Sequence, residues 1–113
     1  LAKPPIRDGV RQPWADRMAA FAALEHVARK LSGMVTEADW EEWQPADLAP
    51  YVDHVLAVFG PRRVLFGSDW PVCLLAASYA RVVESTRELL GGLSAAETAA
   101  VFGGTATEVY RLA

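Results

Sequence analysis

Apolar residues recur at helical spacing most clearly where Leu48, Tyr51, Val52, Val55, Leu56 and Phe59 fall at i, i+3, i+4, i+7, i+8 and i+11, the buried stripe of a 3.6-residue period. This predicts a helix capped by Asp47, with Pro50 in its first turn and Gly60-Pro61 as its stop, because a first-turn N–H has no helical partner to lose. A second helix is expected over 79–90, with Tyr79, Val82, Val83, Thr86, Leu89 and Leu90 on one stripe, Ser78 as cap and Gly91-Gly92 beyond it. A third is expected over 14–28, on the looser stripe Trp14, Met18, Phe21, Leu24 and Ala28. Near the end two capping-box patterns, Ser94 with Glu97 and Thr105 with Glu108, predict two short helices separated by Gly103-Gly104.

Two segments read as strands. Arg63-Val64-Leu65-Phe66 is a short apolar run ending at Gly67, the pattern of a parallel strand covered on both faces. Arg29-Lys30-Leu31-Ser32-Gly33 is the other. The order helix, strand, helix, strand, helix, with connections long enough for crossovers, is that of an α/β protein. Two strands leave unpaired edges, which a sheet normally covers with further strands. A closed (β/α)8 barrel takes about 250 residues, so 113 residues amount to less than half of one. The chain therefore reads as one piece of a larger α/β domain. Its opening, Leu1-Ala2-Lys3-Pro4-Pro5-Ile6, suits the middle of a longer polypeptide.

Charge narrows the function classes. Eleven Lys and Arg against fourteen Asp and Glu give a net charge of -3, so no basic footprint is available for a phosphate backbone, and nucleic acid is not expected as a partner. Residues 31–61 hold six acidic side chains and no basic one, which reads as a solvated face. No apolar run approaches the roughly 20 residues of a membrane span. At 52% hydrophobic residues the chain can bury a core, and a cytoplasmic location is the simplest expectation, since the single cysteine, Cys73, closes no disulfide within the chain.

The sharpest candidate chemistry is Gly67-Ser68-Asp69-Trp70-Pro71, directly after the second strand. In parallel α/β folds the C-terminal strand ends face the active site, so a carboxylate there points at substrate. Asp69 has two readings: a reactive carboxylate, or a turn residue whose oxygens accept backbone N–H bonds. Gly67 allows close backbone approach, and Trp70 offers a flat apolar wall. On the first strand Lys30 and Ser32 alternate with Leu31 and so share a face. Lys30 either holds a substrate carboxylate or lactone oxygen from inside a barrel, or is simply exposed. His26 and His54 lie off the apolar stripes and are expected to face solvent, away from any metal. Cys73, in Val72-Cys73-Leu74-Leu75, is expected to be a buried, inert thiol.

Several segments together carry a resemblance. Leu1 to Ile6, Lys30-Leu31-Ser32-Gly33 followed by Thr36-Glu37-Ala38, Phe59-Gly60-Pro61-Arg62, and Leu65 through Cys73 resemble the amidohydrolase superfamily, as does Phe102-Gly103-Gly104-Thr105-Ala106. The branch they look most like is the L-fuconolactonase-like and pyrone-dicarboxylate-lactonase-like hydrolases. The resemblance implies that residues 1–113 are the C-terminal part of one (β/α)8 TIM barrel, with Lys30–Gly33 as strand seven and Val64–Phe66 as strand eight. It also implies that Asp69 is the catalytic base on the attacking water and, in metal-dependent members, a metal ligand. Trp70 matches a pocket residue of the family and would bind substrate, while Lys30 and Ser32 stand as substrate-binding candidates on the alternation along their strand.

The family's metal-binding histidines lie on strands this chain does not contain, one of them immediately ahead of Leu1. Thr105 stands where the family typically has asparagine, at a position read as a helix cap. The implied cofactor is a divalent metal, zinc or manganese, held by the complete barrel and not tightly by this chain alone. The implied partners are a small-molecule lactone and either further copies of the chain or the N-terminal barrel half. Three functions follow: a hydrolase of lactones or related cyclic esters and amides; a non-catalytic partial barrel; or a ligand-binding module that keeps the Trp70 pocket.

Overall fold

The computed structural model describes residues 1–112. In chain order its elements are α1 (Trp14–Ala22), β1 (Arg29–Leu31), α2 (Pro45–Phe59), β2 (Val64–Phe66), α3 (Tyr79–Leu89), α4 (Ala95–Ala99) and α5 (Thr105–Val109). Helix α2 forms where the apolar stripe is strongest, and Leu48, Tyr51, Val52, Val55 and Phe59 are all buried. Its start differs from expectation. Gln44 is the N-cap and Asp47 closes a capping box, accepting the Gln44 N–H at 2.8 Å. Pro45 takes the first position, and Pro50 falls in the second turn. Its missing N–H there leaves the Ala46 carbonyl to water, which is tolerable because both residues lie toward the surface.

The two strands pair in parallel, Arg29 opposite Val64, Lys30 opposite Leu65 and Leu31 opposite Phe66. A bond from Gly67 N to Leu31 O, 3.1 Å, carries the pairing one step further. Leu31 and Val64 are buried in the same cluster as Val52 and Val55, and the sheet lies against α2, which α1 packs against in turn. Each strand has one neighbour among the described residues, which leaves both outer edges of the sheet unpaired.

Helix α1 is shorter than its stripe suggests. It ends at Ala22, and Phe21 and Leu24 are exposed. The cause is Arg63, whose guanidinium donates to the carbonyls of Ala22 (2.8 Å), Leu24 (3.0 Å) and Val27 (3.2 Å) while its Nε donates to Phe59 O (3.1 Å). The guanidinium serves carbonyls that the end of the helical ladder leaves short of donors. The chain turns there and enters β1.

At the C-terminus Ser94 and Glu97 form the expected reciprocal cap. The second expected cap is absent. A π-helical turn, Ala100–Gly104, joins α4 to α5, so Gly103-Gly104 does not separate them. Thr105 is buried and donates to Arg62 O at 3.3 Å rather than capping α5. No described helix is long and apolar enough to cross a membrane.

The segment ahead of α1 is held down by two aromatic donors. Trp14 Nε1 donates to Leu1 O at 2.9 Å, and the Tyr51 hydroxyl donates to Val10 O at 2.8 Å. The two rings meet edge to face, 5.4 Å apart. His54 belongs to this junction. Contrary to expectation it is half-buried, with Nε2 2.8 Å from Ala15 O and its ring tilted against Trp14. A residue just off an apolar stripe meets whatever helix packs beside that stripe, and here that is α1. His26 is exposed.

Candidate functional site

A cleft of about 530 Å³ runs along β1 to the loop that follows β2. Lys30 and Ser32 border it from β1 and the residue beyond, Asp69 from the loop after β2, and Leu1, Lys3, Thr36 and Glu37 from across. Three of the four residues proposed from the sequence are thus brought together. Trp70, the fourth, is exposed and outside the residues that line the cleft.

Asp69 has a left-handed backbone, φ 58°, a conformation that costs a non-glycine residue energy and gathers at functional sites. The turn around it is closed by other groups. Ser68 Oγ accepts the Trp70 N–H at 3.2 Å, and the Asp69 carbonyl, not its carboxylate, accepts the Cys73 N–H at 2.8 Å. Among the described residues nothing donates to the Asp69 carboxylate. The turn-cap reading requires such a bond, so the carboxylate is left to the cleft.

Two glycines lie against the site residues. A Cβ on Gly33 would stand 3.5 Å from Asp69 Oδ2, and Gly33 has φ +65°. A Cβ on Gly67 would come within 3.0 Å of Ser32 Oγ, the close backbone approach expected there. The loop beyond is fixed by Trp43, whose indole donates to Ala76 O at 2.9 Å and carries the Arg81 guanidinium 4.4 Å above its ring.

Lys30 is exposed, with its ammonium 5.8 Å from the Tyr110 ring centroid. A ligand for this charge competes with that cation–π attraction. Cys73 is buried, and burial, reinforced by the Asp69 charge, pushes its thiol up, the state of an inert structural cysteine.

Lys3, Glu37 and Arg29 were not singled out from the sequence as site residues. Lys3 Nζ donates to Glu37 Oε1 at 2.9 Å, which holds the lysine above its ordinary range. Arg29 borders the cleft with a buried Nε that has no acceptor, and burial lowers its guanidinium. The alternation along β1 placed Arg29 beside Leu31 on the covered face, which hid it. No three His, Cys, Asp or Glu side chains gather as a metal site among the described residues.

These features define a parallel α/β unit with an uncommitted carboxylate in a cleft beside its strands. The chain belongs to the amidohydrolase family, whose model matches residues 1–112. It is 50% identical over 106 residues to an L-fucono-1,5-lactonase of Burkholderia multivorans, covering 88% of this chain and 35% of that protein. A second L-fucono-1,5-lactonase, from Burkholderia ambifaria, is 37% identical over 118 residues, covering 98% of this chain and 39% of that protein. A crystal structure of an amidohydrolase from Burkholderia multivorans with bound zinc superposes with a TM-score of 0.92 at 44% identity, over 97% of this chain and 41% of that one. The chain therefore spans little more than a third of the length of these curated relatives.

Proposed function

We propose that residues 1–113 supply strands seven and eight, with their helices, to a (β/α)8 barrel that hydrolyses lactones. The observation that carries this reading is the Asp69 carboxylate, at a strand end, unclaimed by its own turn and bordering a cleft shared with Ser32 and Lys30. Asp69 takes a proton from water as that water attacks the lactone carbonyl. Lys30 and Ser32 orient the substrate, and Trp70 closes its apolar side once the rest of the barrel surrounds the cleft. The orphaned Nε of Arg29, beside the unpaired edge of β1, supports a missing neighbour, because a buried donor needs an acceptor.

Zinc or manganese suits a carboxylate oxygen, and Asp69 has lone pairs available, so it fits one ligand position of a metal site. When bound, the metal would polarise the carbonyl under attack. A zinc site takes three or four protein ligands. Isothermal calorimetry of this chain with zinc is therefore expected to show no tight stoichiometric binding; a one-to-one tight site would overturn this ligand count.

The second reading, a partial barrel that persists by association, draws on the unpaired sheet edges and on exposed Trp70, Val72, Leu74, Leu75 and Tyr79. Light scattering of the isolated chain at micromolar concentration is expected to show dimers or larger species. A monodisperse monomer with sharp tertiary signals would contradict it.

The lactonase reading is tested by joining this chain to the part of the Burkholderia multivorans lactonase that it does not cover. The chimera is expected to hydrolyse L-fucono-1,5-lactone. A folded chimera that turns over no lactone overturns the proposal.

A further inference from the structure

The cleft contains a charged pair to which the hydrolytic chemistry gives no task. Lys3 and Glu37 face each other across its rim, 2.9 Å from Nζ to Oε1. The lysine side chain is 85% exposed and the glutamate 23%. An exposed ion pair adds little to stability. The backbone that leads to it is nevertheless unfavourable: Ala2 (φ 57°) and Lys3 (φ 51°) are consecutive left-handed residues. Three of the four such non-glycine residues among those described, Ala2, Lys3 and Asp69, lie at or beside this cleft.

The strain is held in place from both sides. Trp14 holds the Leu1 carbonyl, and Arg7 N donates to Glu37 O at 2.9 Å. Strain that surrounding structure over-determines belongs to function more often than to folding.

The pair's spare capacity has a definite chemistry. The ammonium has three donors and spends one on Glu37; the carboxylate keeps Oε2 and the remaining lone pairs of Oε1. A strong donor beside a strong acceptor matches hydroxyl groups, each of which both gives and takes a hydrogen bond. Two adjacent hydroxyls can bridge the pair, one to each partner, whereas an unsubstituted lactone has no donor for the carboxylate and only its ester oxygens as acceptors. We infer that Lys3 and Glu37 are specificity-determining residues that recognise neighbouring hydroxyls of a polyhydroxylated lactone while Asp69 serves the reacting carbonyl. Asp69 and Glu37 both favour the charged lysine, so its donors are present at neutral pH.

This inference rests on the lactonase reading and is tested in the chimera with two six-membered lactones, L-fucono-1,5-lactone and δ-valerolactone, which lacks hydroxyls. Lys3→Met and Glu37→Gln are each expected to lower the ratio of kcat/KM for the first over the second by at least about tenfold. The loss should lie in KM for the polyhydroxylated substrate, and Lys3→Arg should recover part of it. A purely structural role would lower both lactones together. A ratio unchanged within about twofold overturns the inference.

Binding supplies a readout independent of turnover. In the Asp69→Asn background, calorimetry is expected to show weaker binding of L-fucono-1,5-lactone after Lys3→Met, with no matching change for δ-valerolactone. Should the chimera hydrolyse neither lactone, the lactonase reading falls. The calorimetry then decides the rim separately: selective weakening upholds it, and equal affinities or no binding of the hydroxylated lactone overturn it.

Discussion

Replacing Asp69 with Asn in the complete barrel is expected to lower lactone hydrolysis at least about a hundredfold, because a positioned base contributes about 10²- to 10⁴-fold. The substitution is nearly isosteric. It keeps the side chain's size while removing its negative charge and its ability to accept the proton from water. Nothing in the turn depends on the carboxylate, since Ser68 Oγ and the Asp69 carbonyl make the closing bonds. The melting temperature should therefore hold within about 2 °C, which separates lost chemistry from lost structure. Glu84→Gln is the control, because Glu84 is an exposed acid on α3, and its rate should stay near that of the parent. If Asp69→Asn retains nearly full activity, the strand-end carboxylate is not the base.

The elements that could be read from the sequence are those whose signals are local. The stripe of α2, the Ser78 cap of α3, whose hydroxyl accepts the Arg81 N–H at 3.1 Å, and the apolar run of β2 all lie where the residues predict. What could not be read depends on partners far along the chain. Helix α1 stops early because Arg63, 41 residues beyond Ala22, takes its carbonyls. His54 is covered by α1, 39 residues before it.

Gly103-Gly104 misled for the opposite reason. Two glycines read as a break, yet the wider π-helical turn absorbs them without interrupting the helical path. At the cleft, the strand-end motif pointed to Asp69 and the alternation along β1 to Lys30 and Ser32, and all three border it. Lys3 and Glu37 meet 34 residues apart through two left-handed residues with no glycine to announce them. Trp70 shows the limit of reasoning by adjacency, for it follows Asp69 in sequence but is exposed and is not among the residues lining the cleft.

Arg63→Met in the same complete barrel is expected to destabilise the fold by about 3 kcal/mol, since hydrogen bonds to charged groups contribute about 1.5–3 kcal/mol each and are not additive. Four carbonyls, those of Ala22, Leu24, Val27 and Phe59, lose the guanidinium together, and of these Leu24 O keeps a bond from Val27 N. Methionine keeps an apolar stem against the Phe59 ring, over which the guanidinium carbon sits 5.3 Å from the centroid, so the change isolates the donors. At about 2–4 °C per kcal/mol for a domain of barrel size, the melting temperature should fall by about 6–12 °C.

Arg63→Lys should recover less than half of this. An ammonium reaches one or two carbonyls, where the planar guanidinium fork serves four. The consequence reaches the cleft through the chain itself, because these carbonyls set where α1 ends and β1 begins, and β1 carries Lys30 into the cleft. Differential scanning calorimetry gives the stability result, and a loss under about 2 °C for Arg63→Met would mean that water replaces the guanidinium at little cost and that something else ends α1.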